Sequence, residues 1–176
     1  MKLNIGSFTV QHKDMINIDI DKAVKPDVVC DTLKLPFKSG TFDYVHMSSI
    51  LEHADCFEMM KDVHMVCKRG AIVEIWMPHW SGYATWAHLQ HKRGGSYFMF
   101  DEGREKQYGF EFEVLERRIL IEGREYPQQK TAWTRWHLPM LLIEKIANRF
   151  PESFERLWCY WVGGAEALYF KLKVKK

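Results

Sequence analysis

Short apolar runs separated by polar turns occupy the first half of the chain, and this pattern predicts a sheet of buried strands. The runs fall at 3–5, 15–20, 27–30, 42–47 and 71–77. Apolar positions within 56–67 recur at helical spacing. Lys68, Arg69 and Gly70 then predict the end of that helix. Strands that alternate with helical segments favour a parallel sheet of the α/β class.

The last third of the chain predicts an antiparallel closure of this sheet. Apolar residues alternate along 111–121 and again along 168–174, and these two segments are predicted to pair at an edge. Between them a helix is predicted to begin near Pro139, where a missing amide hydrogen costs nothing. Four tryptophans flank that helix and are interpreted as core rather than as a hydrophobic contact surface: Trp133, Trp136, Trp158 and Trp161.

Polar residues follow several of the predicted strands, at the edge where open α/β sheets bind their ligands. Asp31 follows the third run, and Ser48 follows the fourth. Either residue alone could simply cap a turn or a helix. Asp19, at the end of the second run, is the candidate for accepting hydrogen bonds from both hydroxyls of a ribose, with Asp21 as the alternative. Together these residues predict a nucleotide-like ligand.

Five segments carry a family resemblance, in this order: LNIGSF, MINIDID, DVVCDTLKLPF, TFDYVHMSSILEH and GAIVEIWMPHWS. With these spacings, the chain resembles the class I S-adenosylmethionine-dependent methyltransferases, and particularly the compact group with a short first loop. The resemblance covers essentially the whole chain. It implies a Rossmann-like sheet, mostly parallel with an antiparallel closing strand and with helices on both faces, and S-adenosylmethionine as the cofactor.

The same resemblance implies a set of cofactor-binding residues. The first loop would contact the methionine part of the cofactor, the second strand tip its ribose and the third its adenine. The segment after the fourth strand would close over the sulfonium. In chain order the implied residues are Gly6, Ser7, Phe8, Asp19, Ile20, Asp31, Thr32, Leu33, Ser48, Ser49, Ile50 and His53.

Two features of the first loop are unusual. Phe8 stands where related sequences carry a second glycine, which lets the backbone approach the cofactor and adopt dihedrals that a side chain disfavours. Only residues 7–14 join the first two strands, whereas a parallel crossover normally needs a dozen residues or more. The sequence therefore predicts a tight irregular crossover with at most one helical turn.

Residues 78–110 form a polar and aromatic segment that is predicted to be a substrate-facing insertion. The alternative is that its aromatic residues cover the edge of the sheet. His79 follows a strand end and is the first candidate for a catalytic base, and His91 is the second. His53 and His88 are further imidazoles near this edge. Two carboxylates are alternative bases, Glu52 and Asp101.

The composition is that of an ordinary globular protein, 47% hydrophobic and 27% charged, so the 176 residues are interpreted as one domain, 1–176. A net charge of +2 is too small to indicate nucleic acid or an anionic membrane as partner. We find no apolar run typical of a membrane span and predict a cytoplasmic protein. The four cysteines are scattered and lack the paired spacing of zinc sites, so no metal site is predicted. They are Cys30, Cys56, Cys67 and Cys159.

Three functions follow from these observations. The first is methyl transfer to a small-molecule or surface-polymer acceptor. The second, motivated by Phe8, is a catalytically degenerate cofactor-binding module that regulates a partner. The third is a nucleic-acid methyltransferase, which ranks last because the fourth strand is followed by Ser48-Ser49-Ile50-Leu51 rather than by a prolyl motif. The sequence is compatible with a homo-oligomer.

Overall fold

The structure is a computed structural model that describes residues 1–101, 107, 109–121 and 137–176. Seven strands of these residues form one sheet in the order β3-β2-β1-β4-β5-β7-β6. The strands are β1 (Lys2–Ile5), β2 (Ile16–Asp19), β3 (Val28–Val29), β4 (Phe42–Ser48), β5 (Cys67–Pro78), β6 (Glu111–Leu120) and β7 (Ala167–Lys175). The helices are α1 (Cys56–Val66), α2 (Tyr83–Ala87), α3 (His137–Arg149), α4 (Pro151–Ser153) and α5 (Cys159–Trp161).

The sheet is parallel from β3 to β5, and β7 closes it in the opposite direction. β7 lies between β5 and β6 and is antiparallel to both of them. The predicted fold class and the predicted pairing of the last two strands are therefore confirmed. None of the helices in the described ranges is both long enough and apolar enough to cross a lipid bilayer.

The helix α1 packs an apolar stripe against the sheet. Asp55 caps it, because its side chain accepts the backbone N–H groups of Phe57 at 2.9 Å and Glu58 at 3.1 Å, an arrangement that stabilises a helix by about 1 kcal/mol. The stripe contains Met59, Met60, Val63 and Val66, all nearly inaccessible to solvent.

The predicted end of α1 is wrong. The helix ends at Val66, and Cys67 already pairs with Phe42 as the first residue of β5. Thr41, in the turn before β4, donates its N–H to the Val66 carbonyl at 2.7 Å, which gives this carbonyl at the end of the helix a hydrogen-bond partner. Gly70 does adopt a positive φ of 79°, but it does so within β5, next to an irregularity in the pairing with β4.

A ladder of polar side chains supports the short crossover between β1 and β2. Asn4 on β1 contacts both neighbouring strands, through Asn17 Oδ1 at 3.0 Å and His46 Nδ1 at 3.0 Å. It also donates to the carbonyl of Val10 in the crossover, and Asn17 accepts the N–H of His12. All residues between the two strands are described, and none is helical. The predicted irregular crossover is confirmed.

The carboxyl-terminal helices cover the β6 side of the sheet. Asn148 on α3 bonds both backbone groups of Ile119, at 2.8 and 2.7 Å, and so fixes the helix against β6. Trp158 packs against the core as predicted, whereas Trp161 is 85% exposed, so its interpretation as core is wrong. The other two tryptophans of that interpretation, Trp133 and Trp136, lie outside the described residues.

Candidate functional site

A cavity of about 540 Å³ opens at the carboxyl ends of the parallel strands. Its volume suits a ligand of nucleotide size. One side, called here the strand wall, consists of Gly6, Phe8, Asp19 and Ile20. The opposite side, called here the histidine wall, consists of Glu52, His53, His88, Gln90 and His91. A larger opening of about 680 Å³ lies beside Arg69 and Lys175, at the amino-terminal end of β5 and away from these strand tips.

Asp19 forms the centre of the strand wall. Its carboxylate is nearly buried at the tip of β2, where one oxygen accepts the N–H of Phe8 at 2.8 Å and the other accepts the N–H of Asp21 at 2.9 Å. Each oxygen keeps a further acceptor position. Asp21, the alternative acid, instead caps the turn Lys22–Val24 through Ala23. Asp19 is therefore held in place by the backbone and remains able to accept ligand hydroxyls.

The first loop places two residues with positive φ on the strand wall. Gly6 has a φ of 69°, and a β-carbon there would lie 2.8 Å from the side chain of Ile50. Phe8 has a φ of 37° and an exposed ring that lines the cavity. A side chain in this region costs roughly 1–2 kcal/mol. The position where the family resemblance implies glycine therefore has glycine-like backbone geometry despite its phenyl ring.

The structure brings only part of the implied cofactor set onto the cavity. Ser49, Ile50 and His53 line it together with four strand-wall residues. Five others do not line it: Ser7, Asp31, Thr32, Leu33 and Ser48. Asp31 accepts the N–H of Leu33 at 2.9 Å, which is the turn-capping role that the sequence left open.

The histidine wall groups titratable side chains at close range. The Glu52 side chain is 1% exposed, and burial raises its pKa to about 7. One of its oxygens lies 3.9 Å from Nε2 of His91. The His91 ring contacts His53 edge-on at 4.5 Å and stacks on His88 at 4.9 Å. Burial, followed by the neighbouring imidazoles, lowers the pKa of both His53 and His91.

Two segments distant in sequence build this wall. Glu52 and His53 lie in the single turn Leu51–His53 that directly follows β4. Lys92, in the segment that follows β5, donates its N–H to the Glu52 carbonyl at 2.8 Å and thereby holds His91 beside that turn. Sequence reasoning named Glu52 only as an alternative base. Glu52 directly precedes His53 in the turn after β4, and this position was a reason to rank it higher among the candidate bases.

His79 lies away from the cavity, with its side chain fully buried. Its Nδ1 accepts the N–H of Ser81 at 3.2 Å, and its Nε2 lies 3.1 Å from Oε1 of Glu155. Glu155 also accepts the Ser96 hydroxyl and the Tyr97 N–H, both at 2.6 Å. Burial alone would raise the pKa of Glu155, but these hydrogen bonds lower it below its ordinary value. In this arrangement His79 and Glu155 fasten the insertion to the carboxyl-terminal helices.

Comparison with known proteins agrees with this geometry. A family model described as "Methyltransferase domain" matches residues 10–75, which include the second, third and fourth strands. No curated protein matches the chain.

Solved structures with the same fold are numerous. A SAM-dependent methyltransferase from Archaeoglobus fulgidus superposes with a TM-score of 0.58 at 16% identity, over 98% of this chain and 85% of that one. A possible histamine N-methyltransferase from Thermotoga maritima gives 0.59 at 14% identity, over 99% and 81%. Phosphoethanolamine N-methyltransferase 2 of Haemonchus contortus, solved with S-adenosyl-L-methionine, gives 0.56 at 14% identity, over 99% and 48%. Because these sequence identities are low, the similarity shows a shared fold only.

Proposed function

We propose that this chain, which has the fold of the class I S-adenosylmethionine-dependent methyltransferases and uses that compound as its cofactor, transfers a methyl group to a small-molecule or surface-polymer acceptor. The observation that carries the proposal is the cavity at the strand tips, with the carboxylate of Asp19 on one side and the histidine wall on the other. The acceptor binds on the histidine wall.

The residues of the strand wall fit the cofactor. Asp19 presents two carboxylate oxygens, each already oriented by one backbone N–H, so that the ribose hydroxyls can donate to their remaining lone pairs. Gly6 lines the cavity with backbone atoms only, and the Ile50 side chain occupies the space that a β-carbon at this position would need. Ile20 is 69% exposed at the same edge and offers an apolar surface for the adenine ring.

When bound, the cofactor supplies an electrophilic methyl group on a sulfonium. The protein then contributes by orienting the acceptor atom and by accepting its proton when the acceptor is a hydroxyl or an amine. His88 and His91 are our candidates for accepting that proton, because both line the cavity on the proposed acceptor side. His79 is not placed for it, since its ring nitrogens are engaged by Ser81 and Glu155.

A second function is favoured by one observation. The ring of Phe8 lines the cavity at the position where relatives carry glycine, which narrows the space beside Gly6. A catalytically degenerate module that binds the cofactor and regulates a partner would tolerate that narrowing better than an enzyme with rapid turnover.

A methyl-transfer assay separates the two functions. The full chain is incubated with S-adenosylmethionine and a panel of hydroxyl, amine and carboxylate acceptors, and S-adenosylhomocysteine is measured by mass spectrometry. An enzyme gives acceptor-dependent product above the hydrolysis background. A protein that binds the cofactor in a direct titration, yet forms no product across the panel and with a metabolite extract, is the regulatory module instead.

A further inference from the structure

Three potential metal ligands converge on the histidine wall. One carboxylate oxygen of Glu52 and one ring nitrogen each of His53 and His91 all lie within 4.8 Å of one another. Two imidazoles and a carboxylate are the ligand set of one class of zinc sites and of the facial iron sites, both of which keep open positions for a substrate.

The spacing of these atoms is close to what a metal ion requires. Ligands about 2.0–2.2 Å from a tetrahedral zinc ion are about 3.3–3.6 Å apart. In the structure, His91 Nε2 lies 3.9 Å from Oε1 of Glu52. Small rotations of these side chains would bring them to coordination distance, whereas the pair is too far apart for a hydrogen bond.

The carboxylate of Glu52 is otherwise poorly compensated. The side chain is 1% exposed, and Oε2 has no hydrogen-bond partner among the described residues. Within the same residues, the buried Nδ1 of His91 has no hydrogen-bond partner either. A buried carboxylate that lacks partners costs a protein considerable free energy unless a cation accompanies it. A metal ion between the three side chains would remove that cost.

The backbone already holds the ligands in position. Glu52 and His53 are consecutive in the turn that follows β4, and the Lys92 N–H to Glu52 carbonyl bond joins the insertion to this turn. On the insertion, the His91 N–H donates to the His88 carbonyl at 3.2 Å. The two ligand-bearing segments therefore need little reorganisation to bind an ion.

We propose that Glu52, His53 and His91 bind a divalent transition-metal ion of the zinc type, with its open coordination positions toward the cavity. Metal binding by these residues can be measured independently of methyl transfer. The use of the ion rests on the proposed function, in which it would orient an acceptor that bears an oxygen donor.

The test is a calorimetric titration of the chelator-treated full chain with ZnCl₂, repeated with Co²⁺ and visible absorption. We expect one ion per chain and the d–d absorption of protein-bound Co²⁺. The variants Glu52→Gln and His91→Asn should weaken binding roughly 100-fold or more. His64→Asn is the matched control, because His64 lies outside the cavity, where its ring contacts the Lys175 carbonyl.

The outcomes decide the proposal in either direction. Equal zinc affinity in wild type, Glu52→Gln and His91→Asn would overturn it, and so would the absence of stoichiometric binding. Both substitutions introduce a neutral side chain of similar shape, and thermal unfolding shows whether each variant is folded. If only one variant folds, its zinc affinity alone decides the test. S-adenosylhomocysteine is titrated into the same samples. Loss of that binding with the zinc site intact counts against the proposed function and leaves the metal site standing.

Discussion

The two walls of the cavity are built in different ways. On the strand wall, the Asp19 carboxylate at the tip of β2 has both oxygens bonded to backbone N–H groups. The histidine wall lies on a single turn and on the segment that follows β5, and it buries polar atoms of Glu52 and His91 that have no hydrogen-bond partner in the described part of the chain. A preorganised wall suits the cofactor, which is the same molecule whatever the acceptor is. Unsatisfied buried groups suit the part of a site where a ligand or an ion completes the structure.

The largest expected effect is on the strand wall. Asp19→Ala would remove the two charge-assisted hydrogen bonds that we propose Asp19 accepts from the ribose, together worth about 3 kcal/mol, so S-adenosylhomocysteine affinity should fall roughly 100-fold. Isothermal calorimetry measures the change. Asp21→Ala is the matched control, because Asp21 is an exposed neighbour whose carboxylate caps a turn, and it should leave the affinity within about twofold. Unchanged binding in Asp19→Ala would show that a different acid holds the ribose.

A second prediction concerns the ladder beneath the crossover that carries Phe8. Burial, with His12 nearby, lowers the pKa of His46 to about 4 from its ordinary value of 6.5. The unfolded chain therefore binds a proton more readily than the folded one in this range. The stabilisation from neutral His46 is complete above pH 6.5 and is lost as the pH falls toward 4, a change of roughly 3 kcal/mol.

Urea unfolding between pH 7.5 and 4.5 tests this prediction by comparison with His46→Gln, which cannot be protonated there. The wild type should lose more stability than the variant on acidification. Parallel pH profiles of the two proteins would contradict the assignment to His46.

The smallest expected effect is at Phe8. Phe8→Gly removes the ring from the strand wall, so cofactor binding should tighten by about 3- to 10-fold in calorimetry. It also relieves a left-handed conformation that costs about 1–2 kcal/mol, which should appear as a higher free energy of unfolding. Phe8→Ala is the control, since it removes the ring but keeps the β-carbon and separates bulk from backbone strain. Weaker binding in both variants would mean that the ring packs against the ligand.

The strands and their tips could be predicted from sequence because their signals are local. The apolar runs that end in Asp19 and Ser48 correspond to β2 and β4, and the alternation in 168–174 corresponds to β7. The end of α1 was missed for a local reason too. Lys68, Arg69 and Gly70 resemble a helix terminus, but pairing of Cys67 with Phe42 starts the strand before them.

The histidine wall could not be predicted in the same way. Glu52 and His91 meet because an insertion without regular periodicity folds back and donates the Lys92 N–H to Glu52. No spacing in the sequence encodes that contact. His79 ranked first as a base because it follows a strand end, yet Ser81 and Glu155 engage its ring inside the protein. Contacts between distant segments decided both placements.

The most direct test of the central claim is a calorimetric titration of the wild-type chain with S-adenosylhomocysteine, accompanied by thermal unfolding. We predict saturable binding of one molecule per chain and a higher melting temperature in the presence of the ligand. A titration that releases no heat, together with an unchanged melting temperature at saturating ligand concentrations, would contradict the claim that the strand tips form a cofactor site.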